Sequence, residues 1–278
     1  MSLFIASINS GSNGNCYYIG NDTDAIFVDA GISCRETERR MKKLGLEMTK
    51  LRAIFVSHEH IDHITGVPAL SKKYQLPVYI SKNTFLGSKI PIEDHLLCDF
   101  PQHKTIHIGG LSVRAFTKSH DAADPHSFII TYGKIKVGVF TDIGHSCNNI
   151  KKYFSQCHAA FLESNYCETM LANGNYPQHL KKRISSDNGH LSNTQALDLF
   201  RKYRSPQLSH LLLAHLSKNN NSPELVNEMF TQHAGDTAII VASRYQESPV
   251  VRIVESSEKS VAPHKHLLIG ATQLTLFQ

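Results

Sequence analysis

The chain has 278 residues, 41% hydrophobic and 19% charged, with a formal net charge of +5 at pH 7. This length and composition describe a soluble globular protein with a sizeable core, and no apolar run approaches a membrane span. Met1-Ser2-Leu3-Phe4-Ile5-Ala6 lacks the basic and apolar regions of a signal peptide. Cys16, Cys34, Cys98, Cys147, Cys157 and Cys167 contain no CxxC pair, so a cytoplasmic protein with reduced thiols is expected. The positive charge favours an anionic partner, nucleic acid being the commonest.

Residues 3–8 predict a strand, followed by the tight turn Asn9-Ser10-Gly11-Ser12-Asn13-Gly14-Asn15, whose residues tolerate positive φ. The turn lacks the Lys of a Walker A loop, so it reads as a structural turn ahead of a phosphate cradle. Strands are predicted over 16–20 and 25–31, the second carrying Asp29. Ser33-x-x-Glu36 has capping-box spacing and opens a surface helix that Gly45 ends. The apolar run Leu51-Arg52-Ala53-Ile54-Phe55-Val56 predicts a buried strand and delivers Ser57-His58-Glu59-His60-Ile61-Asp62-His63 at its end. A helix from Gly66-Val67-Pro68 to Tyr74 and a strand over 77–81 follow. This rhythm signals an α/β arrangement with helices outside and sheets inside.

Gly109-Gly110 marks a hairpin whose second strand runs into Lys118-Ser119-His120-Asp121. A second hairpin turns at Gly133 and ends in Thr141-Asp142-Ile143-Gly144-His145, and the strand Ala159-Ala160-Phe161-Leu162 ends at Glu163. Residues 175–203 turn helical, with Ser192-x-x-Gln195 capping the second helix. Lys181, Lys182, Arg183, Arg201, Lys202 and Arg204 are placed there to neutralise backbone phosphates, or else form a solvated face. The strand from His210 ends at His215, Ser222-Pro223 starts a helix to about Gln232, and 237–242 is a late strand. After Val254 the composition turns polar, so 1–254 reads as the catalytic domain and 255–278 as a linker and tail.

Burying several imidazoles and a carboxylate without partners costs several kcal/mol, roughly, so the cluster after the 51–56 strand calls for a divalent metal. His58 and His60, separated by one residue on an extended loop, can point at one ion, while Asp62 and His63 turn toward a second. Strand-terminal His120, Asp142 and His215 bring the set to five imidazoles and two carboxylates. That set suits two ions: one held by His58, His60 and His120, the other by Asp62, His63 and His215, with Asp142 between them. Two ions ~3.5–4 Å apart generate hydroxide near neutral pH and clamp the attacking and leaving oxygens. Such a donor set takes either Zn²⁺ or Mn²⁺.

The run from Ser57 to His63, with downstream His120, Asp142 and His215, resembles the metallo-β-lactamase superfamily. The resemblance implies an αββα four-layer sandwich with the metals at one edge of the sheets. Ser10-Gly11-Ser12-x-Gly14-Asn15-Cys16, the stretch 119–125, Glu163-Ser164-Asn165-Tyr166, Gly189-His190-Leu191-Ser192-Asn193 and Leu213-Ala214-His215-Leu216-Ser217 are similar to YycJ/WalJ-type proteins. That likeness implies a two-metal phosphodiesterase acting on DNA, a 5′-to-3′ exonuclease in DNA repair. Asp62 would then ligate a metal and orient the nucleophile. His190 is either a proton donor to the leaving group or a loop histidine. The 73 residues from Asp142 to His215 leave no room for a large β-CASP insertion. His126 and His145 stand where the family pattern has no histidine.

Gln273-Leu274-Thr275-Leu276-Phe277 resembles the peptide with which bacterial DNA-processing proteins bind the replication sliding clamp, a terminal strand being the other reading. Two competing functions are a two-metal hydrolase of a small thioester or cyclic phosphodiester, and a clamp-recruited regulatory binding module.

Overall fold

The computed structural model describes residues 1–100 and 104–255. The linker beyond Glu255 and the peptide Gln273-Leu274-Thr275-Leu276-Phe277 lie outside the described residues. Strands β1 (Ser2–Asn9), β2 (Cys16–Gly20), β3 (Ala25–Val28), β4 (Leu51–Phe55), β5 (Val78–Tyr79) and β6 (Leu97–Cys98) follow one another across one sheet. A second sheet runs in reverse chain order, from β13 (Ala238–Val241) through β12 (His210–Ala214), β11 (Ala159–Glu163), β10 (Ile135–Phe140) and β9 (His126–Tyr132) to β8 (Leu111–Thr117) and β7 (Thr105–Ile108). The last described strand, β14 (Val251–Val254), returns to the first sheet beside β1.

Three apolar layers make this a four-layer αββα sandwich. In β11, Ala159 and Phe161 point between the sheets, whereas Ala160 and Leu162 point outward onto helices α5 (Asn148–Phe154), α8 (Asn193–Tyr203) and α9 (Pro223–Thr231). In β4, Ala53 and Phe55 face the inter-sheet core. Leu51 and Ile54 meet Met41 of α1 (Cys34–Lys43) and Val67 and Leu70 of α3 (Val67–Tyr74) on the other side. Period-2 alternation with both faces apolar, broken in β4 only by the register shift between Leu51 and Ala53, is what a covered, largely parallel sheet requires. Among the described residues no helix is long and apolar enough to cross a membrane, and the six cysteines are free.

Strand direction positions the site. β3 and β4 run parallel, as do β10, β11 and β12, and β8 is twice reversed relative to β10 through β9. Their C-terminal ends therefore gather at one edge, where ligands of open α/β sheets bind. The chain there takes left-handed turns: Asp29, Asp142 and His215 have φ of 59°, 53° and 57°, three of the five non-glycine residues with positive φ among those described. Such backbone costs of the order of 1 kcal/mol or more each, and it aims the side chains back over the sheet edge.

Local differences from the sequence reading have plain causes. Asp62 and His63 sit on a helical turn, α2 (Ile61–Ile64), that opens at the extended His60. The turn carries them round from His58 and His60. The expected Ser33 box is half made, since Glu36 turns from the cap to Arg39 and Arg40. Ser192 and Gln195 make both bonds of theirs. The 175–203 helical stretch begins earlier and is broken, with α6 (Glu168–Asn173) and α7 (Gln178–Ile184) preceding α8.

Candidate metal centre

Four strand ends and one helical turn converge the predicted donors. His58 Nε2 lies 3.1 Å from His60 Nδ1, and His120 Nε2 lies 3.4 Å from the same atom. Nitrogens bound tetrahedrally at ~2.0–2.1 Å sit roughly 3.3–3.4 Å apart, so these three have the spacing of one ion's ligands. His63 Nε2 lies 3.2 Å from Asp142 Oδ2 and 3.6 Å from Asp62 Oδ2, and His215 Nε2 lies 3.3 Å from Asp62 Oδ2. Asp142 Oδ1 stands 3.9 Å from His120 Nε2 and 3.5 Å from His215 Nε2, between the two groups. Thus His58, His60 and His120 form one cluster and Asp62, His63 and His215 another, with Asp142 adjoining both.

The hydrogen bonds behind the cluster leave ring lone pairs facing inward. Ser57 Oγ donates to Asp29 Oδ2 at 2.8 Å, so it accepts from His58 Nδ1, also at 2.8 Å. His63 Nδ1 donates to Asp29 Oδ2 at 2.7 Å, and His120 Nδ1 donates to the Gly189 carbonyl at 2.9 Å. In the neutral rings of His58 and His120 the proton is therefore outside and the Nε2 lone pair inside, the tautomer a metal needs, and His63 would reach the same state on losing its Nε2 proton. Asp29 thus orders two imidazoles, one of them through Ser57. Asn15 Nδ2 donates to Asp62 Oδ2 at 3.1 Å, giving the predicted structural turn a positioning task.

Charge in the cavity calls for cations. Burial pushes His58 well below the usual imidazole range and His120 down to about 4, so both are neutral donors. Burial opposes charge at His63 too, but Asp142, Asp29 and Asp62 hold it well above that range; Asp142, Asp62 and Glu163 likewise hold His215 up at about 10. Burial would raise Asp62, yet His63 and His215 hold it down at about 2. Asp142 is buried, and its Oδ2 makes no aligned hydrogen bond, though the charged His63 ring stands 3.2 Å away. A divalent ion held by the deprotonated rings would face that carboxylate in place of the ring proton. The donor set therefore fits divalent metal.

His190 stands beside this set. Its Nδ1 contacts Glu163 Oε1 at 2.7 Å and lies 3.8 Å from Asp142 Oδ1. Glu163 stands at a strand end and in the family-like stretch Glu163-Ser164-Asn165-Tyr166, with no role assigned to it from sequence. It is fully buried and accepts from Ile143 N at 2.7 Å and Leu191 N at 3.2 Å. Burial would raise its carboxyl, and His190 beside it lowers it to about 2. With Asp142, His190 and His215 it makes a further group of metal-capable atoms. His126 and His145 turn Nδ1 to the carbonyls of Asp124 and Asp187, and His126 Nε2 is buried without a hydrogen-bond partner among the described residues.

Four of the six basic residues proposed as phosphate contacts are already engaged. Lys181 donates to Ala172 O, Arg183 pairs with Asp121 at 2.5 Å, Lys202 pairs with Asp198, and Arg204 donates to His233 O and Ala234 O. Lys182 and Arg201 have no ion pair among the described residues.

The sandwich and its polar edge define a metal-dependent hydrolase. The family description "Beta-lactamase superfamily domain" matches residues 24–215. Exodeoxyribonuclease YycJ of Bacillus anthracis is 35% identical over 237 residues, covering 84% of this chain and 89% of that protein. Exodeoxyribonuclease WalJ of Streptococcus pneumoniae is 30% identical over 226 residues, covering 78% and 83%. The metallo-β-lactamase fold protein YhfI of Bacillus subtilis superposes with a TM-score of 0.70 at 15% identity, over 91% of this chain and 100% of that one. The chain belongs to the metallo-β-lactamase superfamily and, within it, to the YycJ/WalJ family.

Proposed function

We propose that the protein is a two-metal phosphodiesterase acting on DNA, a 5′-to-3′ exonuclease of DNA repair. The observation that carries the reading is the pair of donor clusters meeting at Asp142, combined with likeness to two proteins named exodeoxyribonucleases. His58, His60 and His120 would hold one ion; Asp62, His63 and His215 the other, with Asp142 shared. Divalent ions there acidify water and neutralise phosphate charge when bound.

The chain's own groups do the rest. Asp62, held by Asn15, orients the attacking water. His190 gives Nδ1 to Glu163, which fixes the ring and leaves Nε2 as the proton donor to the leaving 3′ oxygen. Among the described residues no aromatic stripe lines the cluster, so bases are not read.

Duplexes labelled at the 5′ or 3′ end, incubated with Mn²⁺ or Zn²⁺, should be shortened from the 5′ end. Duplexes left intact, with rapid turnover of a small thioester or cyclic phosphodiester instead, would overturn the reading. Recruitment to the sliding clamp is a second part of it, supported by the sequence at Gln273–Phe277. Leu276→Ala with Phe277→Ala is expected to abolish capture of the protein by immobilised clamp while leaving duplex degradation unchanged; undiminished capture would remove this part.

A further inference from the structure

A cavity of 220 Å³ lies beside the metal centre, its walls including Ser10, Leu216, Ser217, Lys218, Arg244 and Tyr245. The two share structure: Ser10 Oγ accepts from the backbone N–H of His215 at 2.8 Å, and Leu216 and Ser217 follow His215 directly. Arg244 is the unexplained group. Its Nε and Nη2 are shielded from solvent and have no hydrogen-bond partner among the described residues. Unpaired guanidinium donors there are costly, and turning the side chain into the cavity would give them an anion as partner.

The backbone around Arg244 is pinned. Asn13 Nδ2 donates to Arg244 O at 2.9 Å, Arg40 Nη2 donates to Tyr245 O at 3.2 Å, and Ser10 N donates to Ser243 O at 3.1 Å. Gly11, at φ 142°, makes the room, since a Cβ there would stand 2.9 Å from Arg244 Nη2. From Gly11 the path to the metal cluster is short: its N–H donates to Asn15 Oδ1 at 3.0 Å, and Asn15 holds Asp62.

The other walls suit a nucleotide. Lys218 is exposed and brings a second positive charge, and among the described residues no carboxylate lines the cavity. Helix α9 opens at Pro223 in the wall, its first-turn Glu224 offsetting the partial positive charge of the helix start. Tyr245, 71% exposed, offers a ring face, and aromatic faces stack bases without regard to sequence.

We propose that this cavity is a phosphate subsite, in which Arg244 binds the DNA phosphate next to the one cut at the metal centre, with Tyr245 against the adjoining base. The proposal rests on the nuclease reading. Its anion chemistry is common to a 5′-terminal phosphomonoester and an internal diester.

The test uses full-length, metal-loaded protein and duplexes whose terminal linkages are phosphorothioate, so that binding is read without cleavage. Arg244→Gln, which keeps the stem packed on Gly11, is expected to weaken duplex binding at least about tenfold, and Arg244→Lys less. Arg114→Ala, removing the same charge from β8, should change nothing. A preference for 5′-phosphate over 5′-hydroxyl ends that vanishes in Arg244→Gln identifies the terminal group; equal losses on both identify the internal diester. Binding of dAMP, followed by calorimetry, separates the two readings. If wild type binds dAMP through Arg244 but not DNA, the subsite stands and the nuclease reading falls. Wild-type affinity of Arg244→Gln for both probes, or no dAMP binding by wild type, overturns the subsite.

Discussion

Asp142→Ala is expected to lower turnover of an end-labelled duplex by about a thousandfold or more, because it removes the carboxylate that adjoins both donor clusters. Asp142 is buried at the end of β10, held by a left-handed turn, with one oxygen toward His63 and the other between His120 and His215. Asp142→Asn keeps the shape and removes one negative charge, so a comparable loss there identifies charge as the cause. Metal content by plasma emission should fall below that of wild type in both variants, while circular dichroism verifies the fold. Wild-type turnover with full metal content in Asp142→Ala would sink the shared-ligand assignment.

How much of this was readable depends on how far apart the partners lie in the chain. His58, His60, Asp62 and His63 follow a buried strand within six residues, and His120, Asp142 and His215 each follow a strand, so local pattern locates them. Asp29 and Glu163 also end strands. Their tasks depend on what faces them: Ser57 and His63 for Asp29, His190 and His215 for Glu163. No spacing within one element encodes such a meeting. Basic side chains depend on the same kind of meeting, since Arg183 finds Asp121 62 residues away, a partner its own helix does not announce. Short elements were also missed. α5 begins at Cys147 without a side-chain cap, and β14 is four residues long, so neither carries a boundary signal of its own.

Loading the second cluster with metal is expected to release about two protons per chain near neutral pH, and chelation should cost more thermal stability near pH 9 than near pH 6. Without a cation, Asp142, Asp29 and Asp62 hold His63 charged, and Asp142, Asp62 and Glu163 hold His215 charged up to about pH 10. Those raised values stabilise the metal-free fold fully below the unfolded value of ~6.5, and the contribution is lost as pH rises through about 10. Metal binding runs the other way, since each Nε2 must give up its proton first. Affinity at Asp62, His63 and His215 should therefore climb by up to roughly a hundredfold per pH unit below both values. The first cluster should respond less, because His58 and His120 are neutral already. Calorimetry in buffers of different ionisation heat counts the protons, and melting with and without chelator at the two pH values reads the stability. A release near zero, or the same melting shift at both, would mean that metal does not replace those protons.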